Sequence, residues 1–135
     1  MPEGVEYGPQ FTASTGLELN IVGDHAYAYS GAIAATTSLD RVLDFQTGAY
    51  VIDAVFQLSA SVDISGLGSG VTTGFQLQFN GVTVLLSKCD STEEDMLPMV
   101  TAQMIIPPYT HVTLDVDSTS TTGSTTQTMV GRIYK

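Results

Sequence analysis

Apolar and polar residues alternate with period two through most of the chain, and a 3.6-residue period is almost absent, which predicts an all-β protein. The longest run sets Tyr50, Ile52, Ala54, Phe56, Leu58, Ala60, Val62 and Ile64 on one face. Val51, Asp53, Val55, Gln57, Ser59, Ser61 and Asp63 fall on the other. At about 3.3 Å per residue this strand would approach 50 Å, so a bend or bulge is expected near Ser59 to Ser61. The Gly66-Leu67-Gly68-Ser69-Gly70 stretch then interrupts pairing.

Phe75, Leu77 and Phe79 alternate up to Asn80-Gly81, the preferred dipeptide of a two-residue type I′ hairpin turn. A regular hairpin closed there pairs 79 with 82, 77 with 84 and 75 with 86. That places Val82, Val84 and Leu86 on the buried face, with Gln78 beside Thr83 and Gln76 beside Leu85 on the other. An acidic loop, Asp90 to Asp95, follows. Val100, Ala102, Met104 and Ile106 alternate up to Pro107-Pro108, which lack two ladder donors and end that strand. Thr110, Val112, Leu114 and Val116 form the inward face of the next strand, with His111, Thr113, Asp115 and Asp117 outward.

Ser118 to Thr128 reads as a polar loop, and 127 to 134 as a closing strand in which Gly131 marks a bulge or a close backbone approach. Shorter strands are expected over 17 to 22, 25 to 30 and 31 to 37. In the second of these His25, Tyr27 and Tyr29 face opposite to Ala26 and Ala28. Residues 38 to 43 fit either one helical turn or a strand. Seven to nine strands at this spacing predict an antiparallel β-sandwich, jelly-roll-like, over residues 16–135. Residues 1–15 have only Val5, Tyr7 and Phe11 to bury among Pro2, Gly4, Gly8 and Pro9, and read as an extended N-terminal arm. Val5, Tyr7 and Phe11 are its candidate partner contacts.

Composition sharpens this picture. The chain has 135 residues, a net charge of −10 and 13% charged residues, about half the usual share for a globular domain. Much of its surface must therefore be neutral or covered. With only Arg41, Lys88, Arg132 and Lys135 as cations, no basic stripe is available for a phosphate backbone, so direct nucleic-acid binding is not expected. No 18-residue apolar run and no positively charged leader is seen, so neither a membrane span nor a standard secretion signal is expected. Cys89 is the sole cysteine and forms no intrachain disulfide.

Chemistry-bearing motifs are absent. No G-x-S-x-G elbow is present, and Val71 replaces the third glycine of a dinucleotide loop. Asp115-Val116-Asp117 opens like a calcium loop, but Ser120 and Thr126 stand where glycine and the bidentate glutamate belong. Cys89 with His111, His25 and His111 with a carboxylate, and a sugar-stacking set of Tyr27, Tyr29, Tyr50 and Tyr109 each fit ordinary structural roles as well. None has a supporting spacing. No catalytic residue, metal ligand or cofactor is expected, and the chain reads as a non-enzyme. A hydrolase on the sandwich scaffold would have to rest on Asp115 or His111.

GAYVIDAVFQLSAS at 48 to 61, FQLQFNGVTVLLSK at 75 to 88, MIIPPYTHVTLDVDSTST at 104 to 121 and MVGRIY at 129 to 134 together resemble tailed-bacteriophage capsid decoration or cement proteins. The resemblance covers about residues 48 to 134. It rests on a double proline before an alternating strand, a Ser/Thr-rich loop, and a closing strand with Gly-Arg-aliphatic-Tyr. It implies a virion structural protein on the capsid exterior, assembled in the host cytoplasm. Its partners would be copies of itself, as a homotrimer, and the major capsid protein. The alternative is a receptor- or glycan-binding tip or fibre domain of a phage virion.

Overall fold

The computed structural model describes residues 19–62, 71–91, 99–119 and 123–135, and among them ten strands form two antiparallel sheets. The strands are β1 (Asn20–Val22), β2 (His25–Tyr29), β3 (Ile33–Ala34), β4 (Asp40–Gln46), β5 (Val51–Val62), β6 (Val71–Phe79), β7 (Val82–Ser91), β8 (Met99–Ile106), β9 (His111–Ser118) and β10 (Gly123–Tyr134). One sheet runs β1-β2-β10-β5-β8, with β3 also on β10, and the other runs β4-β9-β6-β7. Setting β1 and β3 aside, the eight remaining strands interleave as 2-10-5-8 against 4-9-6-7. Consecutive strands thus alternate between the sheets except in the β6–β7 hairpin, which is the winding of a jelly roll. The expected all-β, jelly-roll-like sandwich is the observed fold. Val5, Tyr7 and Phe11, with the rest of the arm at 1–15, lie outside the described residues.

The inward halves of the alternating strands meet in one core. Ile52, Phe56, Leu58, Leu77, Phe75, Ile106, Leu114 and Met129 are fully buried in it, and Ala26 and Ala28 bring β2 close against it. Burial of a side chain of this size stabilises by about 1.5–3 kcal/mol, so the alternation read from sequence is the main source of fold energy. Residues 40–46 settle as a strand. Its register against β9 shifts between Arg41 and Leu43, and this bulge lets Val42 and Leu43 both be buried.

Three expectations change. First, the β6–β7 turn forms as predicted, with Asn80 at φ 52° and Gly81 at φ 82°, but a bulge follows. Phe79 pairs with Val82 and Gln78 with Thr83, then Leu77 pairs with Leu85 rather than Val84. The extra residue reverses the face of everything beyond it. Leu85 and Cys89 now pack toward the core, while Val82 and Leu86 are 64% and 65% exposed and Val84 is exposed too. Second, β5 pairs with all twelve residues of β10 in unbroken register, so no register shift occurs at Ser59. Third, the polar stretch after Ser118 is largely strand: Gly123 to Thr128 belong to β10, and Thr125 and Gln127 are buried.

Gly131 is a close approach and not a bulge. A Cβ there would overlap the Ile52 Cγ2 methyl and stand 3.0 Å from the Asp53 carbonyl oxygen. The Pro107-Pro108 stop ends β8 at Ile106 as expected, and Thr47 secures the turn that follows. The Thr47 hydroxyl donates to the Pro107 carbonyl at 3.1 Å and accepts from the Thr110 N–H at 2.9 Å.

Candidate functional site

The two outer faces of the sandwich differ in charge. On the four-stranded sheet the described acids are Asp40, Asp44, Asp90, Asp115 and Asp117, opposed by Arg41 and Lys88. On the other sheet Asp24 and Asp53 are matched by Arg132 and Lys135. Among the described residues one side is acidic and the other is neutral.

The acidic side is organised around Arg41, for which no local motif signals a role. The β4–β9 register sets Arg41 opposite Asp115, and Arg41 Nε donates to Asp115 Oδ1 at 3.0 Å. Arg41 also lies 3.5 Å from Asp44, whose other oxygen meets His111 Nε2 at 2.6 Å. The hydrogen bond to Asp115 outweighs the burial penalty and, with both aspartate charges, holds the Arg41 guanidinium above the ordinary arginine value. Asp115 is nearly buried and needs this partner. Arginine was the only cation that could reach it with a planar fork. The cluster is a closed ion-pair network on the sheet surface.

Beside it, Gly74 on β6 leaves a groove of about 280 Å³ bordered by Leu39, Gln76, Leu86, Lys88 and Asp117. Gly74 pairs with Lys88 on one side and Asp117 on the other, and a Cβ at Gly74 would stand 2.5 Å from Asp117 Oδ1. The groove offers one cation, one carboxylate and aliphatic walls, a set suited to gripping a side chain of a partner.

The neutral side is a broad sheet surface of Ser, Thr, Gln, Val and Tyr. Tyr27 pairs with Val130 and Val130 with Val55, while Tyr29 pairs with Thr128 and Thr128 with Gln57. Tyr29, Val130, Ile105 and Tyr134 are exposed on it. Two of its charges are paired: Arg132 meets Asp24 at 3.2 Å and lies over the Tyr134 ring at 5.9 Å, Asp24 also meets His25 at 2.9 Å, and Asp53 accepts from the Gln103 amide at 3.0 Å.

The fold disperses the residue sets that the sequence offers as candidate sites. Cys89 faces inward from β7, paired with Thr73, whereas His111 lies on the outer face at the far end of β9. Seven residues of strand, about 23 Å, separate their levels. His25 and His111 lie on opposite sheets. Asp115 is bound to Arg41, while Asp117 faces Gly74, so the two aspartates do not converge. Tyr27 and Tyr29 share the neutral face, but Tyr50 packs on the core and Tyr109 sits in the β8–β9 turn, at φ 53° and 73% exposed. Asp90, expected in a loop, belongs to β7 and accepts from the Thr72 hydroxyl at 2.6 Å; residues 92–95 of that acidic stretch lie outside the described residues. Among the described residues, no group of three His, Cys, Asp or Glu side chains is placed to hold a metal ion.

Fold and surface together define a jelly-roll β-sandwich with one acidic and one neutral face. No family model matches the sequence, and no curated protein matches it. Among solved structures, the chain is similar to dimeric latent PorU from Porphyromonas gingivalis, at TM-score 0.47 and 14% identity, over 80% of this chain and 11% of that one. It is also similar to infectious bursal disease virus, Gx strain, at TM-score 0.49 and 9% identity, over 82% of this chain and 32% of that one. A third similar structure is the VP2 subviral particle of infectious bursal disease virus, at TM-score 0.45 and 10% identity, over 82% and 31%. The chain spans a third or less of the length of each of them. At these scores and identities the likenesses carry no argument about function.

Proposed function

We propose that this chain is a non-enzymatic virion structural protein, a capsid decoration or cement protein that binds the outside of a phage shell and strengthens contacts between capsid subunits. The observation that supports the reading most is the neutral outer face of the six-stranded sheet. Its exposed Tyr29, Val130, Ile105 and Tyr134 stand among Thr and Gln, and of its few described charges Arg132 is paired with Asp24. Such a surface loses little on desolvation and suits burial against other subunits. The acidic opposite face keeps the free protein soluble and steers it toward basic partners. In this reading the chain self-associates as a homotrimer, meets the major capsid protein on the shell exterior after assembly in the host cytoplasm, and uses no cofactor. Binding across capsid subunits stabilises the shell by the free energy that must be lost before the subunits separate.

The alternative, a receptor- or glycan-binding tip, calls for aromatic residues gathered at one end, and the dispersed tyrosines give it less support. Co-sedimentation of the full chain with expanded shells of the virus that encodes it tests the proposal. The expected result is saturable binding that Val130→Glu reduces at least tenfold while the variant stays folded. Binding to host cells without binding to shells would overturn it in favour of the tip.

A further inference from the structure

We infer that the edge strand β8 is a homotypic docking edge, on which β8 of a second copy pairs antiparallel across a two-fold axis. Among the described residues five strands lie at sheet edges, β1, β3 and β8 in one sheet and β4 and β7 in the other, and all but β8 carry a recognisable guard, β3 by being only two residues long. β1 is only three residues long. β4 holds Asp40, Arg41 and Asp44 and is bulged. β7 is bulged at Val84 and carries Lys88 and Asp90. β8 has none of these devices. Its eight residues, Met99 to Ile106, include no charge, no proline and no glycine, and their register with β5 is unbroken. Among the described residues no strand pairs with its other side, and Met99 and Ile105 are 69% and 58% exposed.

Charge selects the occupant. Two copies of a chain carrying −10 repel wherever acids meet, and β8 is the long edge that brings none to the contact. Its pattern is also self-complementary. Met99, Thr101, Gln103 and Ile105 face outward, and Val100, Ala102, Met104 and Ile106 face inward. A two-fold axis through Ala102, perpendicular to the sheet, keeps each face with its like. It sets Met99 against Ile105 and Thr101 against Gln103 outside, and Val100 against Met104 inside. Apolar residues meet apolar ones, polar meet polar, and Val100 and Met104 extend the core across the junction. Moving the axis to Gln103 would set polar Thr101 against apolar Ile105. The N-terminal arm of a neighbour is a poorer occupant: Glu3, Glu6, Gly4, Gly8 and Pro9 leave it no comparable run.

The contact needs only the sheet edge and does not rest on the virion reading. Because it is two-fold, the native mass of the full chain should be an even multiple of 14.3 kDa: a dimer if β8 acts alone, a hexamer if it joins two trimers. In a Cys89→Ser background, Ala102→Cys should cross-link between copies under mild oxidation, because directly opposed Cβ atoms lie about 4.5–5.5 Å apart. Gln57→Cys, on the central strand β5, should not. Thr101→Lys, at an exposed position, should weaken the association at least tenfold and leave the circular dichroism unchanged. A monomeric or trimeric native protein overturns the inference. So does an assembly sensitive to Thr101→Lys in which Ala102→Cys does not cross-link, since another strand would then occupy the edge.

Discussion

The side-chain amide of Gln127 grips the main chain of Ser59 at both polar groups: Oε1 accepts from the Ser59 N–H at 3.1 Å and Nε2 donates to the Ser59 carbonyl at 3.1 Å. Gln127 is fully buried, and its own N–H and C=O are taken by the Ser30 hydroxyl and Ser30 N–H, each at 3.0 Å. The Ser59 hydroxyl donates to the Thr126 carbonyl at 2.9 Å. Side chains thus stand in for ladder bonds where β5 was expected to bend, and the register is kept.

Replacing Gln127 by Leu, similar in volume, leaves both Ser59 groups without these partners in a half-buried place. Each lost partner costs about 1–3 kcal/mol when buried, and partial access to water keeps each nearer the low end, so Gln127→Leu should destabilise by about 2–4 kcal/mol. Urea unfolding should show a lower midpoint with an unchanged slope.

Thr73 presents the opposite situation. It is fully buried on β6, and its Oγ1 has no hydrogen-bond partner among the described residues. Thr73→Val keeps the shape and the β-branch and removes the unpaired hydroxyl. It should raise stability by about 1 kcal/mol, read as a higher thermal midpoint.

Val84 is the extra residue of the β6–β7 bulge. Deleting it leaves Leu85 opposite Leu77 and every later residue of β7 on its present face. The deletion should therefore be tolerated to within about 1 kcal/mol. In an unbulged hairpin, where Val84 and Leu86 would face inward, the same deletion would turn every later residue of β7 to the opposite face, carry Leu86 outward and cost several times more, so chemical denaturation distinguishes the two registers.

Removing Arg41 strands Asp115. Arg41→Ala should cost about 1–2 kcal/mol, less than a fully buried pair because Arg41 is about half exposed. The folded state raises the Arg41 pKa, so the arginine's contribution is complete below the ordinary arginine range and is lost only as pH rises beyond it. Stability differences between the native chain and Arg41→Ala, measured by denaturant midpoints, should be the same at pH 7 and at about pH 10.

Strand positions were legible wherever alternation and a stop signal agreed. Asn80-Gly81 located one turn and Pro107-Pro108 another, because both act through their own φ angles and missing donors. Alternation likewise marked Ile52, Phe56, Leu58 and Leu114 as one apolar face, and each is buried. The Ser118–Thr128 stretch misled because threonine and glutamine look like loop residues when their partners are unknown. Val62 to Gln57 of β5 supply those partners and make Gly123–Thr128 a strand.

Of the surface, the low charge count was readable and its distribution was not. Arg41, Asp44, His111 and Asp115 are up to 74 residues apart and meet only because β4 and β9 are neighbours. The residues of β8 announced an uncharged strand, but whether it lay inside a sheet or at its edge depended on the strand order.

Local chemistry therefore determined the class of element, most of the inward faces and the turns, since periodicity and backbone preference act within a few residues. The hairpin register past Val84, the split into an acidic and a neutral face, the hold of Gln127 on Ser59 and the open edge at β8 were decided by tertiary structure. Each depends on which distant strand lies alongside, and that is set by the collective packing of two sheets on one core.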